Sequence, residues 1–410
     1  ATNRGITIGT GGGGIDVFSG TLTYPGAIVG ANTFTKYGTG TFVLTGSKTG
    51  TAYVVVYQGT FTVEADAPVL TGQTFTGAGN LIIQSAGTSF SPTFEASGLS
   101  LVGDTGTEPT EPVSTDGVNR SALLGTLTIG KSGNLGTINI SGNITTAGNQ
   151  TFYGPVTLSA DITSTITSGT VNFTGTVNSS TSTPRNLTTS GGTLKLDGVV
   201  GATNALNNIT TTNSGNLTTT AAIWNIGTLS VAGTSSLGAN ITTSSTQTYT
   251  GAVTLSNTRT ATLTTTNNNI VFSSSIAGVG KNLTLNSGTG TISVTGAVGS
   301  TSNGLGTIII ANSNGTTFLS TVDAAAVVLT NTSGTITFTG NATITSATGL
   351  VTTANGYNVI FTGGTNSIAG ITTFNNSGYV TLGDSGDTTS FVAGLTATAP
   401  IQVNIGGTVS

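Results

Sequence analysis

The sequence predicts an all-β fold, a parallel β-helix or β-solenoid, and three observations carry that expectation. Charged residues are only 5% of the 410-residue chain while Gly numbers 62. The weak helix formers Thr, Ser, Asn and Gly therefore dominate, and almost no stretch supplies the Ala, Leu, Glu, Lys and Arg that helical surfaces use. A short Gly-Thr-led strand motif recurs from end to end. Its copies fall at intervals that suit one coil of a solenoid. Disorder is excluded by the 35% hydrophobic content and the mean hydropathy of +0.24, since disordered chains combine low hydrophobicity with high net charge.

The motif reads Gly-Thr, an apolar residue, a small or polar one, and another apolar one. It occurs as GTFVL (Gly40 to Leu44), GTFTV (Gly59 to Val63), GTLTI (Gly125 to Ile129), GTINI (Gly136 to Ile140) and GTVNF (Gly169 to Phe173). GTLKL (Gly192 to Leu196), GTLSV (Gly227 to Val231), GTISV (Gly290 to Val294), GTIII (Gly306 to Ile310) and GTITF (Gly334 to Phe338) continue the series. Period-2 alternation turns both apolar side chains to one face, and the leading Gly is expected to supply a turn conformation that other residues resist.

Spacing predicts how these strands stack. Phe42/Leu44, Phe61/Val63, Leu81/Ile83 and Leu99/Leu101 follow one another at about 18 to 20 residues, one coil each. Like residues then lie above one another in a continuous core, and each strand satisfies its backbone with the coils on either side. An antiparallel sandwich needs turn signals every 8 to 12 residues and hairpin dipeptides, which are scarce here. A larger duplication overlies the coils: Thr151 to Phe173 matches Thr248 to Phe272, and Arg185 to Gly201 matches Lys281 to Gly299, an offset of roughly 97 residues. Gly340 to Phe361 is a looser third copy.

One segment breaks the pattern. GDTGTEPTEPVSTDG (Gly103 to Gly117) is expected to be an exposed loop, since Pro lacks a ladder donor and carboxylates resist burial. The predicted organisation is thus N-terminal coils over 1–102, an acidic, Pro-containing loop over 103–121, and coils built from about three diverged repeats over 122–410. About 18 to 20 coils are expected, a body about 90 Å long. Neither Gly5 to Phe18 nor Ile401 to Ser410 reads as a cap, so self-association through uncapped solenoid ends is expected. With no Met in the chain, Ala1 is expected to begin either an exported mature chain or a fragment.

Phe34 to Val63, FTKYGTGTFVLTGSKTGTAYVVVYQGTFTV, resembles the autotransporter-associated β-strand repeat: a Lys, a Gly-x-Gly-Thr strand, Leu-x-Gly, a variable turn and a closing Gly-Thr strand. Units such as Lys281 to Ile310 resemble the tandem repeats of filamentous-haemagglutinin-like surface proteins, across most of residues 122 to 400. These resemblances imply a right-handed parallel β-helix, export to the bacterial cell surface, and roles in adhesion, aggregation or biofilm matrix. They imply no catalytic residues. The C-terminus departs from the autotransporter pattern, because no alternating strands with aromatic girdles mark a translocator barrel.

Chemistry is narrowly bounded. With no Cys and no His, thiol nucleophiles, thiolate metal sites and the commonest general base are absent. Asp161, Asp197 and Asp323 are scattered singly, each where a turn could hold it, unlike the carboxylate groups of catalytic β-helices. No catalytic residue, cofactor site or enzymatic activity is therefore expected. Asp104, Glu108, Glu111 and Asp116 form the one weak Ca²⁺ candidate, though without β-roll or EF-hand spacing, so that a solvated loop is favoured. Gly383 to Asp387 reads as a turn, and the Gly11 to Gly14 run lacks the Lys-Ser/Thr and helix of a phosphate loop.

Thr-x-Thr arrays raise ice binding, but the coils vary too much for a regular ice face. The sequons at Asn143, Asn172, Asn186, Asn240 and Asn282 are numerous in a chain this rich in Asn, Thr and Ser, as chance supplies. Trp224 and Tyr37, Tyr53, Tyr57, Tyr153, Tyr249, Tyr357 and Tyr379 offer a sugar-binding surface or, for most of them, core and coil-stacking positions. A net charge of −4 provides no basic stripe for nucleic acid. No run of 18 or more apolar residues forms a membrane-spanning helix. The expected role is an extracellular structural or adhesive element with a cell-surface glycan or protein as receptor; the alternatives are a subunit stacking into a filament and, remotely, a carbohydrate-active or ice-binding β-helix.

Overall fold

A computed structural model describes residues 4–49, 53–66, 70, 73–91, 94–95, 123–256 and 260–410. Among them there is no helix, and strands pair in parallel with those one turn away, making the chain an all-β solenoid of about 17 turns. It divides into two compact units, Ala1–Asn207 and Asn208–Ser410. The ten Gly-Thr motifs all contain strand residues.

In the first unit, fully described turns carry three short strands. Ile28–Val29, Phe34–Tyr37 and Thr41–Leu44 make one turn; Lys48–Thr49, Tyr53–Val56 and Thr60–Glu64 pair with them from the next. Alternation puts Phe42 beside Phe61 and Leu44 beside Val63, all in the core. The columns continue through Leu81/Ile83, Leu127/Ile129, Gln150/Phe152, Val171/Phe173 and Leu194/Leu196. Each buried Phe or Leu contributes roughly 1.5–3 kcal/mol of transfer free energy, so the columns hold the turns together.

The rung after Leu81 and Ile83 is Leu127 and Ile129, where spacing had predicted Leu99 and Leu101. Those two lie outside the described residues, as does the acidic segment with Asp104, Glu108, Glu111 and Asp116. Phe94–Glu95 likewise pairs with Ile138–Asn139. Rungs are set by which strand closes the backbone hydrogen bonds of the turn below, and the whole interval from residue 81 to residue 127 adds one rung.

In the second unit one ladder runs Ile270, Ile292, Thr316, Ile336, Val359, Val380 and Val403, in steps of 20 to 24 residues. Five of these six steps exceed the predicted 18 to 20, and the described residues make about 17 turns. Ile223–Val231, Leu305–Ser313 and Val322–Thr332 are long strands. The first of them bends between two faces, since Ile223 and Ile226 pair with Ile241 and Thr243 while Leu229–Val231 pair with Gln247–Tyr249.

The leading glycines act in two ways. Gly59 has φ of 66°, the left-handed conformation expected of a turn glycine. Gly334 does not; a Cβ there would stand 2.3 Å from the Asn314 carbonyl of the turn below. Turns about 4.8 Å apart bring backbone onto backbone at the corners, and at Gly334 the missing side chain is a matter of space.

Thr and Ser also point inward at corners, where several of their hydroxyls bond to backbone carbonyls of the same corner. Thr146 donates to the Gly148 carbonyl at 2.7 Å, Thr211 to Gly215 at 2.6 Å and Ser287 to Gly290 at 2.8 Å. Outside, asparagines clamp adjacent turns: the Asn149 side chain accepts the Thr170 N–H at 2.8 Å and Asn269 accepts that of Thr291 at 2.9 Å.

Candidate functional surface

Several of the described ionisable side chains are tied to the scaffold. Lys36 is completely buried, and its Nζ donates to the carbonyls of Tyr37 at 2.7 Å, Gly38 at 2.8 Å and Gln58 at 3.2 Å, the last one turn away. Burial lowers its pKa, and the nearby Asp16 carboxylate opposes that shift. Lys48 is also buried, with its pKa lowered by desolvation and its Nζ on the Thr49 carbonyl at 3.2 Å. Nothing in the sequence pattern separated these two lysines from exposed ones, because an inward Lys is recognised only by the carbonyls that converge on it.

The carboxylates behave similarly. Asp161 sits at a corner and accepts the Asn186 N–H at 2.9 Å and its Nδ2 at 2.8 Å, which hold its carboxyl below the usual range. Asp66 accepts the Gly87 N–H and the Ser85 hydroxyl, each at 2.8 Å, with the same effect. Asp197 pairs with Lys195 at 2.6 Å. Asp323, expected in a turn, instead lies within the strand Val322–Thr332 opposite Thr343 and is buried; the long strand carries it round a corner where turn and strand are the same segment.

Gly383 to Asp387 is a turn in which Asp387 Oδ2 accepts the Asp384 N–H at 2.8 Å. The Asp387 carboxyl beside it holds that of Asp384 above the ordinary carboxylate range. Gly13 and Gly14 of the glycine run belong to the strand Gly13–Asp16, paired with Phe34–Tyr37. Among the described residues no group of three or more Asp or Glu could hold a metal ion, and no helix is long and apolar enough to cross a membrane.

Three of the sequon asparagines serve as clamps. Asn143, Asn240 and Asn282 accept the N–H of Thr163, Thr262 and Thr307 at 2.8, 3.0 and 2.7 Å. Asn186 lies between Asp161 and Asn207, whose Nδ2 reaches it at 3.0 Å, and Asn172 stands in the strand Thr170–Phe173. The aromatics divide. Tyr249 and Tyr357 are fully buried, and Tyr37 meets Tyr57 edge-on at 6.0 Å between turns. Trp224, Tyr53 and Tyr379 are exposed.

Trp224 follows the inward Ile223 and points outward, and a β-bulge comes directly after it. Between the paired residues Ile223↔Ile241 and Ile226↔Thr243 the register slips, so Trp224 and Asn225 both point outward opposite Thr242. Asn225 takes φ of 48°, a left-handed conformation that Asn tolerates better than most residues. Beyond the bulge the outward row continues as Thr242, Thr264, Asn286 and Asn312. The arrangement is an aromatic plate beside a file of neutral hydroxyls and amides.

Comparison with protein-family models, with curated proteins and with solved structures found no match.

Proposed function

We propose that this chain is a non-enzymatic structural or adhesive β-solenoid of the bacterial cell surface or extracellular matrix. The observation that carries the reading is the use of its few charges. Lys36 ties together carbonyls of two turns, and Asp66 and Asp161 each hold the turn that follows. Such groups serve a scaffold, and they are not gathered around a place where a reacting atom could sit. The outward rows are left neutral and hydrogen-bonding, suited to contact along a face. The resemblance of Phe34 to Val63 to the autotransporter-associated repeat supports export. Antibody labelling of intact producing cells, with fractionation alongside, tests it: signal on the surface or in the matrix is expected, and confinement to the cytosol would sink the proposal.

A second reading, end-to-end stacking into a filament, has its own observation. In the strand Gln402–Ile405, Val403 and Ile405 stand in register with the buried Val380 and Leu382 but are themselves exposed. That ladder is open to a further strand, from chain beyond residue 410 or from another copy. Electron microscopy of purified protein decides: fibres with a regular axial repeat favour stacking, and single particles at all concentrations exclude it.

A further inference from the structure

We infer that the Trp224 bulge and the row beyond it form a binding face for a linear, neutral polysaccharide. This rests on the reading of the chain as a surface-exposed adhesive solenoid and names its ligand class. Trp224 is the sole tryptophan of the chain and is 45% exposed, whereas most large apolar side chains of this fold lie in its columns. The bulge after it re-aims Asn225, which regular alternation would turn inward, so that it stands outward beside the indole. Here two outward residues, Trp224 and Asn225, face one, Thr242, and the cost includes a left-handed backbone at Asn225. Departures of this kind concentrate at functional positions.

The chemistry of the surroundings selects the ligand. An indole plate offers an apolar face that stacks on the C–H face of a pyranose ring, with a polar N–H at its rim. Thr242, Thr264, Asn286 and Asn312 follow in one file, each side chain able to donate and accept. None of these carries charge, which matches a ligand bearing hydroxyls and no carboxylate, sulfate or phosphate. Successive turns lie about 4.8 Å apart, close to the length of one sugar ring along an extended glycan. A linear chain lying along the file can therefore meet a hydrogen-bonding side chain at each ring, anchored at one end on the indole.

Because Trp224 is the only tryptophan, its fluorescence reports this site alone. The full chain is titrated with cellohexaose, xylohexaose and chitohexaose, following emission and acrylamide quenching, with calorimetry for affinity. At least one of the three is expected to shift the emission to the blue and protect the indole from quencher in a saturable way. W224A should weaken that binding at least tenfold, W224Y should keep part of it, and N312A should weaken it severalfold, all with unchanged circular dichroism. No change in emission or quenching with any of the three sugars at millimolar concentration overturns the proposal. So does an emission shift that follows protein concentration without sugar, which would make the bulge a contact between copies. A chain located on the cell surface whose tryptophan ignores all three sugars keeps the structural reading and removes this one; sugar binding by a chain confined to the cytosol supports this site and removes the other.

Discussion

The Tyr249 hydroxyl donates to Oε1 of Gln247 at 3.0 Å inside the second unit, where both side chains are fully buried. Gln247 Nε2 reaches Thr243 Oγ1 at 3.5 Å and the Thr264 carbonyl at 2.9 Å. Gln150 of the first unit repeats the arrangement, with Nε2 at 3.2 Å from Thr146 Oγ1 and 3.1 Å from the Thr165 carbonyl. Residue 152 there is Phe, and Gln150 Oε1 has no hydrogen-bond partner. The two copies have thus diverged at one atom of a buried polar cluster, while their rings still stack alike: Phe152 on Phe173 at 4.8 Å and Tyr249 on Phe272 at 5.0 Å.

Removing the hydroxyl in one copy and adding it in the other should have opposite effects. Y249F orphans Gln247 Oε1 and is expected to cost about 1–3 kcal/mol, whereas F152Y supplies the missing donor and should stabilise by about 0.5–1.5 kcal/mol. Urea midpoints read at unchanged slope check both. A destabilised F152Y would show that the ring edge has no room for the oxygen.

Lys36 makes stability depend on pH at the alkaline end. Its pKa is lowered from 10.5 by burial, so between the lowered value and 10.5 the unfolded chain binds more protons than the folded one. Stability from this group therefore rises with pH through that window and is least below it. K36M should remove that dependence and, by leaving carbonyls unpaired, cost about 2 kcal/mol near neutrality. The comparison is a urea midpoint measured against pH for both proteins; parallel curves would contradict it.

Asn134 is a buried clamp between turns. Its Oδ1 accepts the N–H of Phe90 and of Gly136, each at 3.0 Å, and its Nδ2 donates to the carbonyls of Gly136 at 2.9 Å and Tyr153 at 2.7 Å. N134A strands several buried backbone groups and should cost about 3 kcal/mol. N134D keeps the two accepted bonds but turns a buried carboxylate oxygen onto the Gly136 and Tyr153 carbonyls, and should cost at least as much. Amide hydrogen exchange at Phe90 and Gly136 is the local readout, with protection expected to fall in N134A.

Gly334 and Gly356 should respond oppositely to the same change. A Cβ at Gly334 would collide with the Asn314 backbone at 2.3 Å, whereas at Gly356 the nearest atom is 4.0 Å away. Neither needs a left-handed backbone. G334A is expected to destabilise by more than about 2 kcal/mol, since backbone cannot yield as a side chain can. G356A should be neutral or stabilise by up to about 1 kcal/mol through the unfolded chain. Thermal midpoints of the two variants against the parent distinguish them.

The strands and their direction were legible because they follow from local pattern. Thr41–Leu44, Thr60–Glu64 and Thr335–Phe338 alternate and are preceded by glycine, and their spacing exceeds any hairpin, so parallel stacking follows from the sequence alone. The duplication was equally plain, and it carries Gln150 to Gln247; the burial of those glutamines was not, since an amide between apolar residues reads like any outward polar one. Lys36 escaped notice for the same reason. The candidate surface was half legible: Trp224 was marked as an aromatic, but its outward turn was not.

By itself, then, the sequence determined an all-β solenoid of parallel turns, its Phe and Leu columns and its repeated unit, because alternation and coil spacing are properties of one strand and its copies. Only the tertiary structure decided that Leu127 follows Leu81, that Lys36 faces carbonyls, and that a slipped register sets Asn225 outward beside Trp224. Each of these depends on which residue of another turn stands opposite, and a parallel ladder sets that by closing backbone hydrogen bonds across intervals whose length the local pattern does not constrain.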